Sequence, residues 1–169
     1  MVRRHVYALA CGARRIMWSG LKAIPDEGMN DAQVKDPLRR NTLIAGDGAK
    51  KLAYHAYRRM AEVLEGADLS KTRLVQANRG GTYAVQFLKQ GKPLWVLWDD
   101  SGKETVAQLT VSGKCDTVQA TRALPNGAKG ADITNAVFSQ VVVPVKNGVA
   151  AIPLRDAIPV YVETKTEIL

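Results

Sequence analysis

The sequence predicts an α+β fold: an antiparallel β-sandwich of about eight strands, preceded by a helix–strand–loop–helix segment. Three observations carry this. A strongly amphipathic helical pattern runs up to Gly66. From about residue 73 the apolar residues recur at every second position instead. Tight-turn signals then punctuate that second stretch at short intervals, as in antiparallel β domains.

The elements follow in order. Residues 2–11 place Val2, Val6, Leu9 and Ala10 on one helical face, and Gly12 suits the position after a helix end. Arg15 to Trp18 reads as a short buried strand that ends on a tryptophan. A long loop over 19–47 follows, rich in turn formers such as Gly20, Pro25-Asp26, Gly28, Asn30-Asp31 and Pro37. A structureless loop of this length is uncommon unless it serves a site or is disordered. Residues 49–65 form the clearest helix. Leu52, Ala53, Ala56, Tyr57, Met60, Val63 and Leu64 make one broad apolar stripe, and Lys51, His55, Arg58, Arg59 and Glu62 take the solvent face.

In the β region, Tyr83, Val85 and Phe87 alternate with Ala84, Gln86 and Leu88. "PLWVLWDD" at 93–100 is apolar on both faces, as a central strand is. Its Trp95 and Trp98 lie three apart and so face opposite sides. "DTVQATRAL", "FSQVVVPV", "GVAAIPL" and "IPVYVE" continue the alternation. The expected inward residues are Val85, Phe87, Leu97, Leu109, Val118, Val141, Ile152, Val160 and Val162. Asn147-Gly148 is the strongest hairpin signal, because both central residues of a type I′ turn need positive φ. The polar stretch "GADLSKTR" divides the chain into residues 1–69 and 70–169.

Composition narrows the function. The 169 residues carry a net charge of +8, but residues 1–69 and 70–169 contribute +4 each. A nucleic-acid face concentrates its cations, so nucleic acid is not the expected partner. No apolar run approaches the ~20 residues of a membrane helix. The basic and apolar N-terminus mimics a signal peptide, but its apolar run is short and interrupted by His5. Localisation stays open. Cys11 and Cys115 have no metal spacing and read as two buried thiols. His5 and His55 have no partner spaced for a metal, and the serines lack a G-x-S-x-G context. No cofactor or metal is expected. Asp99-Asp100-Ser101-Gly102 is turn chemistry, and Glu163 reads as an exposed edge residue.

A single strand followed by a helix would leave strand edges unpaired, and it is the last unit of an eight-fold barrel that supplies that order. The succession of "GARRIMW", the long loop, "KKLAYHAYRRMAEVLEGA" and a sandwich containing "VLWDDSG" and ending in "PVYVE" resembles the C-terminal region of clan A glycoside hydrolases. Lys51, Ala53, Tyr54, Ala56 and Tyr57 match the helix motif of that region. The resemblance implies that residues 1–69 are a partial barrel segment and 70–169 an accessory β-sandwich. It implies that Trp18 would floor a sugar subsite, making carbohydrate the ligand. Asp26-Glu27 would lie in the loop near that sugar.

Retaining glycosidases need two carboxylates about 5–5.5 Å apart, and in this clan they sit on the fourth and seventh barrel strands. With Arg15–Trp18 as the eighth strand, both would lie upstream of Met1. The expectation is a truncated glycoside hydrolase, non-catalytic alone, with no catalytic residue in this chain. Its partner would be the missing barrel portion, on another chain or in a longer gene. The alternative is an independent carbohydrate-binding module, which needs an exposed aromatic strip. The resembled family is often secreted.

Overall fold

The structure, a computed structural model, describes residues 1–17, 20–23, 41–112 and 115–164, without the side chains of residues 78 and 79. Among these residues two helices, α1 (Val2–Ala10) and α2 (Leu52–Leu64), precede eight strands. These are β1 (Ala67–Arg79), β2 (Thr82–Lys89), β3 (Lys92–Asp99), β4 (Thr105–Thr110), β5 (Thr117–Pro125), β6 (Phe138–Lys146), β7 (Val149–Leu154) and β8 (Val160–Thr164). Every strand pair is antiparallel. The class is α+β, as the sequence predicts.

The strands form one sheet in the order β1-β2-β3-β8-β5-β6-β7-β4. This differs from two separate sandwich sheets, and β6 is the reason. It pairs with β5 from Phe138 to Pro144, with an irregularity between Phe138 and Gln140, and with β7 only at Val145 and Lys146. One strand therefore carries hydrogen bonds into both halves, and the sheet curls instead of splitting. The β7–β4 end folds over the face of β3, β8 and β5. Ala107, Leu109, Ile152 and Leu154 from that end share a core with Trp95, Leu97, Val118 and Val162.

The helices cover the opposite face. Val2 and Val6 of α1 and Ala56, Met60 and Val63 of α2 pack with Val85, Phe87, Val96, Trp98 and Tyr161. The predicted stripe of α2 thus meets the sheet. At ~1.5–3 kcal/mol for each fully buried large side chain, an upper bound, that contact contributes several kcal/mol. The last turn of α2 is closed from the sheet: Lys89 Nζ donates to the Val63 carbonyl at 2.8 Å and to that of Glu62 at 3.3 Å. A cation at a helix C-terminus also complements the helix dipole.

β3 is buried on both faces, and Trp95 and Trp98 enter different cores. The Asn147-Gly148 turn has φ of 51° and 75°, both in the left-handed region that a type I′ turn requires. The expected inward residues are buried, with Val85 and Phe87 facing the helices. Val141 is the exception, 47% exposed, because β7 reaches β6 only beyond it.

Several expectations are corrected. Arg15 to Met17 form no strand, and Met17 is 93% exposed. No described segment runs beside them to accept ladder bonds. β1 begins at Ala67, within a polar stretch that shows no strong alternation, because as an edge strand it leaves every second residue in water. Glu163 lies on β8, between β3 and β5, and is half-buried rather than on an edge. Cys11 is exposed and Cys115 partly so, instead of buried thiols. His55 is buried, not on the solvent face. A 3₁₀ turn at Gly130–Asp132 covers it, and its Nε2 lies 3.2 Å from the Gly130 carbonyl.

Candidate functional site

A cleft of about 800 Å³ opens where the N-terminal turns of α1 and α2 meet the ends of β2 and β3. α1 brings Arg3, Arg4 and Tyr7; the sheet brings Tyr83, Trp98 and Asp100. The helical spacing of three and four residues puts Arg3, Arg4 and Tyr7 on neighbouring positions of one side of α1. The two-residue period of β2 and β3 sets Tyr83 directly opposite Trp98 in the antiparallel register.

The rings form a stepped aromatic floor. Tyr83 stacks on Trp98 with centroids 5.0 Å apart and planes inclined by 6°. Tyr7 meets Tyr83 edge-on at 6.0 Å. Trp98 is buried beneath, while Tyr7 is 41% exposed and open to a ligand. Around the floor sit donors. Arg3 pairs with Asp100. Lys51 Nζ donates to Thr42 Oγ1 at 3.0 Å, and Thr42 Oγ1 donates to the Ile44 carbonyl at 3.0 Å. Residues 21–23 and 43–44 are laced together by backbone bonds, among them Ile44 N–H to Leu21 O at 2.9 Å and Ala23 N–H to Ile44 O at 2.9 Å.

The acids of the β3 end have separate tasks. Asp99 is buried. It accepts bonds from Ser101 N–H at 2.7 Å, from the Ser101 hydroxyl and from Thr82 Oγ1 at 2.7 Å. These bonds, that from the Ser101 hydroxyl first, hold its carboxyl below the usual range. Asp99 is therefore a turn anchor, not a proton donor. Asp100 faces the cleft and is held by Arg3. No second carboxylate faces Asp100 among the residues that line the cleft. No cluster of three metal-ligating side chains exists among the described residues. Aromatic faces bordered by charged and hydroxyl groups give the cleft chemistry able to stack and hydrogen-bond a ligand. No described helix is long and apolar enough to cross a membrane.

Of the residues singled out from sequence, Trp18, Asp26 and Glu27 lie outside the described residues. Trp98 enters the cleft as its buried base, and Trp95 does not reach it. The sequence does not single out Arg3, Tyr7 or Tyr83 as site residues. The signal for Tyr83 was present in the pairing of two aromatic strands; Arg3 and Tyr7 had none, since an exposed tyrosine beside an arginine on a helix is ordinary.

No protein-family model matches the chain, and no curated protein matches it. Its fold is nevertheless one already seen in solved structures. It is similar to a family 39 glycoside hydrolase from the gut symbiont Bacteroides cellulosilyticus WH2, with a TM-score of 0.66 at 15% identity. That match takes in 97% of this chain and 29% of the other. It is also similar to a GH30 endoxylanase from Clostridium papyrosolvens C71, with a TM-score of 0.50 at 12% identity over 75% of this chain and 31% of that one. These neighbours are clan A glycoside hydrolases, and the matched part is a C-terminal portion of each. The chain thus spans less than a third of the length of either.

Proposed function

We propose that this chain is the C-terminal part of a glycoside hydrolase, non-catalytic alone, whose β structure braces a catalytic barrel. The observation that carries the reading is the coverage: almost the whole chain superimposes on less than a third of a family 39 enzyme. Residues 1–69 would supply the last helices of the barrel, and residues 70–169 an accessory sandwich. The docking of α2 on the sheet supports a shared wall between the two parts. Trp18 would face a sugar once the barrel is complete, and carbohydrate is the ligand class of the whole.

The test compares the purified chain with the same chain extended by the coding sequence directly upstream of Met1. A panel of aryl glycosides reads turnover. Hydrolysis only by the extended protein is expected. Hydrolysis by the chain alone, or an upstream sequence that encodes no barrel, overturns the reading.

A second reading, a free-standing carbohydrate-binding module, draws on one observation, the Tyr7–Tyr83 floor of the cleft. It is the weaker, because both tryptophans of β3 are buried and offer no stacking face. Saturable binding of neutral oligosaccharides, abolished in Tyr7→Ala, would favour it.

A further inference from the structure

A second, smaller cleft lies between α2 and residues 134–138 and shares no lining residue with the larger one. It holds about 230 Å³ and is lined by Lys50, Arg58, Arg59, Glu62, Thr134 and Asn135, among others. We propose that it binds an oxyanion, phosphate or sulfate, either free or carried as a substituent on a sugar.

Charge is the first argument. Three cations face one carboxylate here. Glu62 is shared between both arginines, accepting from Arg58 Nε at 2.8 Å and standing 3.8 Å from an Arg59 Nη. Two positive charges are left in excess at the cleft. Lys50 is steered by the Tyr54 ring, its Nζ 5.0 Å from the centroid.

Preorganisation is the second. The Arg59 guanidinium lies 5.5 Å from the Phe138 ring centroid, a cation–π contact that restrains its position. Its Nε is buried and has no hydrogen-bond partner among the described residues. A guanidinium restrained in this way presents its remaining N–H groups as a fork suited to an oxyanion. The opposite wall is held in place by the bond between His55 and the Gly130 carbonyl. Thr134 and Asn135 add a hydroxyl and an amide that can donate.

Size is the third. The cleft is smaller than the ~300–1,000 Å³ of drug-sized ligand sites. It suits one anionic group rather than a whole oligosaccharide. The site is independent of the barrel reading, since none of its lining residues belongs to the larger cleft.

The experiment is calorimetric titration of the whole chain with sodium phosphate and sodium sulfate, against chloride at matched ionic strength. A sulfated and a neutral oligosaccharide of equal length form the second arm. Saturable binding of phosphate or sulfate is expected, weakened about tenfold or more in Arg59→Gln. Arg58, with a side chain 68% exposed, and Lys50 offer safer variants. Arg58→Gln and Lys50→Gln should each weaken binding several-fold while keeping the parent's melting temperature. Binding of the free ions assigns the site to a free anion. Binding of the sulfated sugar alone, lost in the same variants, assigns it to a glycan substituent. Heats that do not saturate, or that are equal in parent and variants, overturn the proposal.

Discussion

Replacing Gly130 by alanine should be among the most damaging single-methyl changes in this chain. Gly130 does not have positive φ, so the reason is not conformational. A Cβ there would stand closer than 3.0 Å to backbone atoms of Lys50, Lys51 and Leu52. The nearest, the Lys51 carbonyl carbon, would lie at 2.2 Å, and ordinary contact begins at 3.4 Å, so the first turn of α2 and the 3₁₀ turn must separate by about an ångström. Backbone cannot rotate away as a long side chain can. Overpacking of this kind costs about 1–3 kcal/mol. The separation also stretches the 3.2 Å contact between His55 and the Gly130 carbonyl, and an unsatisfied buried group adds about 1–3 kcal/mol. The expected total is about 2–6 kcal/mol. For a chain of this size each kcal/mol lowers the melting temperature by about 2–4 °C, giving a drop on the order of 4–24 °C by calorimetry. Gly48→Ala is the control: its φ is +90° but nothing lies within 4 Å, so a loss of only about 1 kcal/mol is expected. A Gly130→Ala protein that melts at or above the parent's temperature would refute the reasoning, because alanine's smaller unfolded-state entropy would then dominate.

Met60→Asp places a carboxylate between α2 and the sheet, where Met60 is 6% exposed. A loss of about 3–5 kcal/mol is expected, with early proteolysis between α2 and β1; equal protease resistance would show that α2 does not rely on this contact. Asp99 sits below its ordinary pKa when folded, so its contribution is present above the unfolded value of about 3.9 and is lost as pH falls through the lower folded value. The stability gap between parent and Asp99→Asn, read by urea midpoints, should shrink as pH falls below about 4; a gap constant with pH would contradict this. Ala157 occupies φ of 53° in the turn before β8. Ala157→Gly should raise stability by about 0.5–1 kcal/mol, since the relief of left-handed strain exceeds the added chain entropy, and a lower denaturant midpoint would count against it.

The sequence by itself determined the apolar face of several regular elements, among them α2, β3 and β7. The stripe through Ala56, Met60 and Val63, the opposed tryptophans of β3 and the Asn147-Gly148 hairpin were all legible. Each depends on repeats or turn geometry within a few residues, and those are local properties of the chain. The tertiary structure alone decided the rest. β8, last of the strands in the chain, inserts between β3 and β5, and β6 joins both halves into one curled sheet. Such pairings depend on which distant edges are left open, and no local pattern records that. Burial of His55 follows from a 3₁₀ turn that arrives from 75 residues away, so a polar position on a helix could not be recognised as covered. The larger cleft has the same origin: Tyr7 from α1, Tyr83 from β2 and Trp98 from β3 become one floor only after α1 has docked on the sheet. Faces are set by sequence periodicity, but sites are set by which faces meet, and that is fixed by the competition among long-range contacts.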